Sequence, residues 1–351
     1  EVHIWSYRDL LPILPDYPWL VKHCSYESEK SILYQLWWER NCLSKELVNF
    51  RCSILLNIDA STVCRFSPAV TISRDMLSYE PGELFRNGFS KTTLRLLIIK
   101  YLQNSSLRAA TGVIFLTKYA GTIIQDSSGK LQNVAYIPHG VSEHFRQIPT
   151  QPTSQFDIED QVIKCLYVSD IAPYKHQWHV VKAIKLLRDK GVKINLTLTG
   201  GGNADGFLRA RDMLNKEISL CDPDHTYINI LGYVKHERLP NLLHNADIFI
   251  FASSCENMPN TLVEAMAAGL PIACSNQGPM PEVLQDAGVY FNPEKPNQIS
   301  SAISQLVNDR SLRKTMADKA KKLSEKYSWE KCADQTFKFL SETLIETKNK
   351  R

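Results

Sequence analysis

Two glutamates stand eight positions apart in the stretch Glu256-Asn-Met-Pro-Asn-Thr-Leu-Val-Glu264. The first is in a polar, Pro-bearing turn. The second is inside an apolar helical run that continues Ala265-Met-Ala-Ala-Gly-Leu-Pro271. Just ahead lies Asp247-Ile-Phe-Ile-Phe-Ala-Ser253, a short apolar run suited to a buried parallel strand. The unit reads strand, polar loop, helix. In open α/β sheets a ligand sits outside the carboxyl ends of the strands, against helix N-termini that favour anions. Glu256 falls in that crevice and Glu264 a little over one turn into the helix, so this segment carries most of the chemistry.

Three more segments place polar groups at strand ends. Lys175 follows Tyr167-Val168-Ser169 and precedes a helix, where it is either a phosphate counter-charge or a solvated helix-start lysine. Gly200, Gly201 and Gly202 follow Leu198-Thr199 and either admit a ligand close to the backbone or form a plain loop. Gly232, Tyr233 and Val234 end a further strand, where backbone amides could read a flat base or make ordinary turns. Gly278-Pro-Met-Pro-Glu282 follows the strand after the Glu256 unit.

The elements that must position these groups are clearest in the second half. Strand-like runs at 162–169, 194–199, 228–234, 247–253, 271–275 and 288–291 alternate with helical stretches at 178–189, 205–218, 236–246 and 260–268. That alternation predicts a doubly wound parallel sheet. Only helices are expected over 296–348, with Trp329 opening the last. In the first half a long helix is expected over 27–48, strands at 52–58, 69–73, 112–117 and 134–138, and a basic, apolar helix near 91–110. Residues 147–155 read as a Pro/Thr/Gln interdomain linker. The 351 residues exceed one ordinary core, and a net charge of +4 is too mild to argue for nucleic acid. Nine scattered cysteines without a CxxC pair suit reduced, buried thiols in a cytoplasmic protein rather than disulfides or a zinc site.

Taken in order, these segments resemble the donor domain of family 4 glycosyltransferases of the GT-B fold. The likeness covers roughly 110–345 well and the first hundred residues weakly. It rests chiefly on Glu256-x7-Glu264 and its Ala-Met-Ala-Ala-Gly-Leu-Pro271 continuation, with Pro138-His139-Gly140-Val141, Pro173-Tyr174-Lys175, Gly232-Tyr233-Val234 and Tyr327-Ser328-Trp329 in support. It implies two Rossmann-like α/β domains facing a deep interdomain cleft: an acceptor domain over 1–148, a nucleotide-sugar donor domain over 155–327, and a C-terminal helix over 328–351 returning to the first domain. It also implies a retaining transferase using a UDP- or GDP-linked sugar, with no other cofactor and no metal. Glu256 would face the donor sugar or its phosphate, and Glu264 would accept two hydrogen bonds from the ribose diol. Lys175 and the amides around Asn260 and Thr261 would receive the diphosphate. The rest of the donor set would be Asn257, Met258, Pro259, Gly200, Gly201, Tyr233 and Val234, the last two packing on the base.

The departures bear on transfer. Ser169-Asp170 stands where many relatives carry Gly-Arg, so the phosphate clamp reduces to Lys175. Arg74-Asp75 stands where relatives often carry His-Asp or His-Asn, and a guanidinium cannot act as a base at neutral pH. Arg74 would instead hold an anion, or it is a structural partner of Asp75. No glycine precedes Gly82, and Glu1–Trp5 reads as a second strand, so the sequence is expected to begin about one βα unit late. Residues 86–118 hold six basic and no acidic residues, interleaved with leucine and isoleucine. They read either as a core helix with a basic outer face or as a peripheral contact with an anionic membrane, suiting a lipid-linked acceptor. Bacterial surface glycan synthesis is the leading expectation, in the cytoplasm or at the inner membrane face. A non-catalytic nucleotide-sugar-binding subunit and a GT-B nucleotide-sugar epimerase are the alternatives.

Overall fold

The computed structural model describes residues 1–25, 31–86, 88–147, 162–201 and 208–349. Most of the expected linker, Gly202, and the starts of the helices expected from 27 and from 205 lie outside the described residues.

The first half opens with β1 (Val2–Trp5) paired in parallel with β2 (Leu20–His23). Two short helices, α1 (Ile32–Trp38) and α2 (Ser44–Asn49), flank a π-helical turn at Glu39–Leu43. A four-stranded parallel sheet then runs in the order β3 (Leu55–Asn57), β4 (Ala69–Ser73), β5 (Gly112–Phe115) and β6 (Val134–Tyr136). The helix α3 (Lys91–Ala109) connects β4 to β5, and α4 (Lys118–Ser128) connects β5 to β6.

In the second half, strands and helices alternate: β7 (Ile163–Val168), α5 (Gln177–Asp189), β8 (Ile194–Thr199), α6 (Leu208–Cys221) and β9 (Ile228–Gly232). The series continues with α7 (Leu239–His244), β10 (Ile248–Phe251), α8 (Asn260–Ala267), β11 (Ile272–Ser275), α9 (Met280–Leu284) and β12 (Val289–Phe291). Three helices close the chain, α10 (Pro296–Asn308), α11 (Arg310–Ser324) and α12 (Trp329–Asn349). The six strands are parallel in the order β12-β11-β10-β7-β8-β9. Helices cover both faces, so β10 and β11 are buried at every residue. Their uninterrupted apolar runs follow from that double burial.

The first half departs from its expected layout in two places. Its strands form two separate sheets, and Leu20–His23 is a strand that its short, half-polar run does not announce. The long helix is broken because Glu39 is drawn into tertiary bonds, accepting from Gln35 Nε2, Thr62 Oγ1 and the Val63 amide. A widened turn in a helix commonly marks such competition.

The last helix crosses to the first domain, where Phe339 packs with Val70, Ile114 and Ile137 and Asn133 Nδ2 donates to Thr343 Oγ1 at 3.1 Å. At the start of α12, two segments far apart in sequence meet. A Cβ added to Gly140 would lie 2.0 Å from the Trp329 amide nitrogen. Gly140→Ala must therefore push α12 off the 138–141 loop, at about 1–3 kcal/mol. A melting temperature several degrees lower is expected in a thermal scan, and an unchanged one would contradict this packing.

Candidate functional site between the two domains

The order of the six-stranded sheet reverses between β7 and β10, which lie side by side at its centre. Loops leaving such neighbours diverge to opposite faces and open a crevice at the strand ends. Lys175 comes from the loop after β7 and Glu256 from the loop after β10. Their side chains form an ion pair with only 13% and 15% exposure, so each depends on the other. The Tyr174 and Phe251 rings lie 5.3 and 5.8 Å from Lys175 Nζ and shield that charge from water.

The fold brings Glu264 to the same crevice from the second turn of α8. It is buried, and its Oε1 lies 2.8 Å from Nε2 of His236, in the loop after β9. Burial raises the Glu264 carboxyl above its ordinary value, while the His236 hydrogen bond opposes the rise. At the start of α8 the Asn260, Leu262 and Val263 amides already donate to Met258 and Pro259 carbonyls. Among the described residues this leaves the Thr261 amide as the first-turn donor without a backbone acceptor.

The remaining donor candidates divide. Met258 is buried in the second domain's core, so only its backbone can face a ligand. Pro259 is buried at the head of α8. Asn257 points away from the sheet: its Nδ2 donates to the Asp75 carbonyl at 3.4 Å, and its own carbonyl accepts from Thr117 Oγ1 at 3.0 Å. Gly200 has φ +149°, and a Cβ there would sit 1.9 Å from the Ser169 carbonyl oxygen; at Gly201 it would sit 3.1 Å from Tyr233 Cβ. Both glycines therefore let the loops after β7, β8 and β9 converge. Tyr233 is 76% exposed, and Val234 packs against the core.

The first domain contributes the facing wall. Arg74 is exposed just after β4. Asp75 turns back into the first domain, accepting from the Leu77 amide of its own loop at 3.0 Å and from Gln103 Nε2 of α3 at 3.4 Å. The direct Arg74–Asp75 pairing is thus replaced by a local turn, and Asp75 reaches the second domain through its carbonyl. His139 has Nδ1 3.3 Å from Asn260 Oδ1, and burial together with the positive Arg74 lowers its pKa. Trp329 lies against the His139 ring at 5.4 Å between centroids.

Several bonds sew this junction. Glu282 accepts from the Lys118 and Tyr119 amides at 2.9 and 2.8 Å, placing a carboxylate of one domain on a helix N-terminus of the other. Ser254 donates to Glu83 at 2.8 Å with His176 Nε2 2.9 Å from the same hydroxyl, and Glu83 holds Arg86 through two hydrogen bonds of 2.7 and 2.6 Å. Cys255, next to Glu256, is buried among Met76, Tyr79 and Phe115 of the first domain. Beside it, burial pushes the Glu80 carboxyl up to about 7, against the Tyr119 hydroxyl that donates to it at 2.5 Å. The segment that presents Glu256 is therefore fixed on both sides.

His236, His139 and Glu282 gained no role from the sequence, although Pro138–Val141 and Gly278–Glu282 were recognised as segments. Their partners lie 28, 121 and more than 160 residues away, beyond any periodic signal. Among the described residues no group of three or more His, Cys, Asp or Glu side chains is placed to hold a metal ion.

Two Rossmann-like domains with this crevice between them make up the GT-B fold. Residues 153–323, just under half of the chain, match the family described as glycosyl transferases group 1. Among curated proteins, the O-antigen chain mannosyltransferase B of Escherichia coli is 31% identical over 174 residues, 49% of this chain and 44% of that protein. A GDP-mannose-dependent alpha-(1-6)-phosphatidylinositol monomannoside mannosyltransferase of Mycobacterium tuberculosis is 24% identical over 245 residues, 65% of this chain and 61% of that one. The first of these relatives and the two uncharacterised Methanocaldococcus jannaschii glycosyltransferases are matched over only 44–45% of their length, so the chain spans about half the length of the curated relatives it matches. Among solved structures, sucrose-phosphate synthase from Thermosynechococcus elongatus superposes with a TM-score of 0.77 at 14% identity, covering 95% of this chain and 86% of that one. Anabaena HepE in complex with UDP and glucose gives 0.70 at 18% identity, covering 92% and 86%.

Proposed function

We propose that the chain is a retaining glycosyltransferase that moves a sugar from a UDP- or GDP-linked donor to a glycan or lipid-linked acceptor, in the synthesis of a bacterial surface polysaccharide. The observation that carries this reading is the convergence of Glu256, Lys175 and Glu264 at the point where the sheet order reverses, facing Arg74 and His139 of the other domain. Glu264 accepts the ribose hydroxyls once they displace His236. Lys175 and the Thr261 amide take the diphosphate, with Arg74 adding positive charge from across the junction. Glu256 faces the sugar and the developing positive charge at its anomeric carbon. The departing diphosphate can itself receive the acceptor proton, so a front-face transfer needs neither an Asp75 base nor a bound metal, and a lysine with a helix amide stabilises the leaving group electrostatically. The named activities of the bacterial O-antigen and phosphatidylinositol mannoside enzymes support a surface-glycan setting and a mannosyl donor.

The test is a thermal-shift panel of UDP, GDP, ADP and their sugars, because a ligand that binds the folded state raises its stability by mass action. Stabilisation by one nucleotide and its sugar is expected; stabilisation by none overturns the donor assignment. Nucleotide-sugar binding without transfer is the second reading, since Arg74 stands where a histidine could serve as a base and Ser169-Asp170 leaves Lys175 without a neighbouring arginine. Donor stabilisation without sugar release to any acceptor or water would select it.

A further inference from the structure

The helix α3 is apolar on two opposite faces. Thr93, Leu96, Gln103 and Leu107 are buried against the first domain. Opposite them, Leu94, Ile98 and Tyr101 follow one another at the i, i+4, i+7 spacing of a single stripe and are 61%, 54% and 73% exposed. Lys91 and Arg95 stand exposed on that same outward face. The neighbouring loop adds Phe85, 52% exposed, and Phe89, 98% exposed, with their rings 5.9 Å apart. Phe89 and Leu94 flank the Ser90 cap at positions where a hydrophobic pair ordinarily closes over a helix start, yet the Phe89 ring lies wholly in solvent. An outer face that is both basic and apolar, with no acidic residue over 86–118, differs from the solvated face of a core helix.

We infer that this face docks on an anionic lipid surface, with Phe85, Phe89, Leu94, Ile98 and Tyr101 entering the boundary between headgroups and acyl chains and Lys91 and Arg95 meeting lipid phosphates. A helix lying in the interface needs a long apolar stripe flanked by cations. No described helix is long and apolar enough to cross a membrane, so the contact is a surface one. The charge selects this occupant over a second copy of the chain, because two such faces would oppose four cations without a carboxylate between them. Between Phe85 and Phe89, Arg86 reaches Glu294 of the other domain at 3.1 Å. The docked face therefore borders the domain junction and would hold the site close to a lipid-borne acceptor.

Flotation of the full chain with vesicles of phosphatidylcholine alone, and with roughly a third phosphatidylglycerol, tests this. Binding is expected to the anionic vesicles only and to weaken at high salt. Leu94→Gln with Ile98→Gln should abolish it, and Lys91→Glu with Arg95→Glu should weaken it about fivefold or more per cation removed. All four side chains are exposed, so both variants should keep the parent melting temperature and any nucleotide-induced stabilisation, which reads the donor site separately. Equal binding to both vesicle types, or binding that survives both double substitutions, overturns the inference. So does a concentration-dependent dimer that the same substitutions dissolve without any vesicle binding, which assigns the face to a second copy.

Discussion

Glu256→Gln is expected to lower kcat by about 10²–10³ while leaving nucleoside diphosphate affinity unchanged or slightly tighter. The magnitude is that of removing one preorganised group aimed at charge developing in a transition state. The direction on binding follows from the ion pair. Glu256 holds Lys175 in a site where both side chains are largely shielded from water. A glutamine keeps the shape of the side chain but removes the charge, which frees Lys175 to turn to the diphosphate. The ground state with bound nucleotide therefore loses nothing, whereas the positive charge developing at the anomeric carbon loses its counterion. A binding group would show the opposite pattern, with KM raised and kcat spared. Steady-state rates beside titration with the nucleoside diphosphate separate the two, and an unchanged kcat removes Glu256 from the chemistry. Glu256→Ala is the poorer test, because it also leaves a shielded lysine beside a void.

The same pair shows why the second domain's side of the crevice was legible in the sequence. Strands buried on both faces read as apolar runs, so Ile248–Phe251 and Ile272–Ser275 announced themselves, and the loops after them had to carry the polar groups. Chain order then placed Lys175 and Glu256 at strand ends, and the sheet order made those ends neighbours. The Pro138–Val141 and Tyr327–Trp329 segments, nearly 190 residues apart, meet at Gly140 and Trp329. The first domain was less legible for a physical reason. Its elements are short and bound by tertiary contacts rather than periodicity, as at Leu20–His23 and at the turn that Glu39 breaks open. Contacts across the junction leave no local trace either. Asn257, three residues before α8, reads as a donor-loop residue, but its side chain is committed to the Asp75 carbonyl. The 86–118 stretch was legible as basic and apolar, but the side facing solvent was decided only by which residues α3 buries.

Glu264→Ala should weaken nucleotide binding by about 10- to 100-fold, with a much smaller effect on the turnover of bound donor. A carboxylate can accept hydrogen bonds from a vicinal diol, and one bond to a charged acceptor contributes about 1.5–3 kcal/mol, the range of this loss. Its environment adds a pH signature. Burial raises the Glu264 carboxyl above the ordinary glutamate range, although the His236 bond opposes the shift. The acceptor form is therefore lost earlier on acidification than for an exposed glutamate. Nucleotide affinity should hold at neutral pH and above, then fall as pH drops through this raised value. Glu264→Gln, which keeps one acceptor oxygen and cannot titrate, should bind more weakly at neutral pH but lose that acid limb. A folded state with a raised carboxyl pKa also takes up protons that the unfolded chain does not, so this group favours folding more as pH falls. Weaker binding at acid pH thus cannot be put down to Glu264 unfolding the protein. Calorimetric titration from pH 4.5 to 8, with melting temperatures at each point, checks both halves. An acid limb shared by parent and Glu264→Gln would assign the titration to another group and remove Glu264 from the ribose contact.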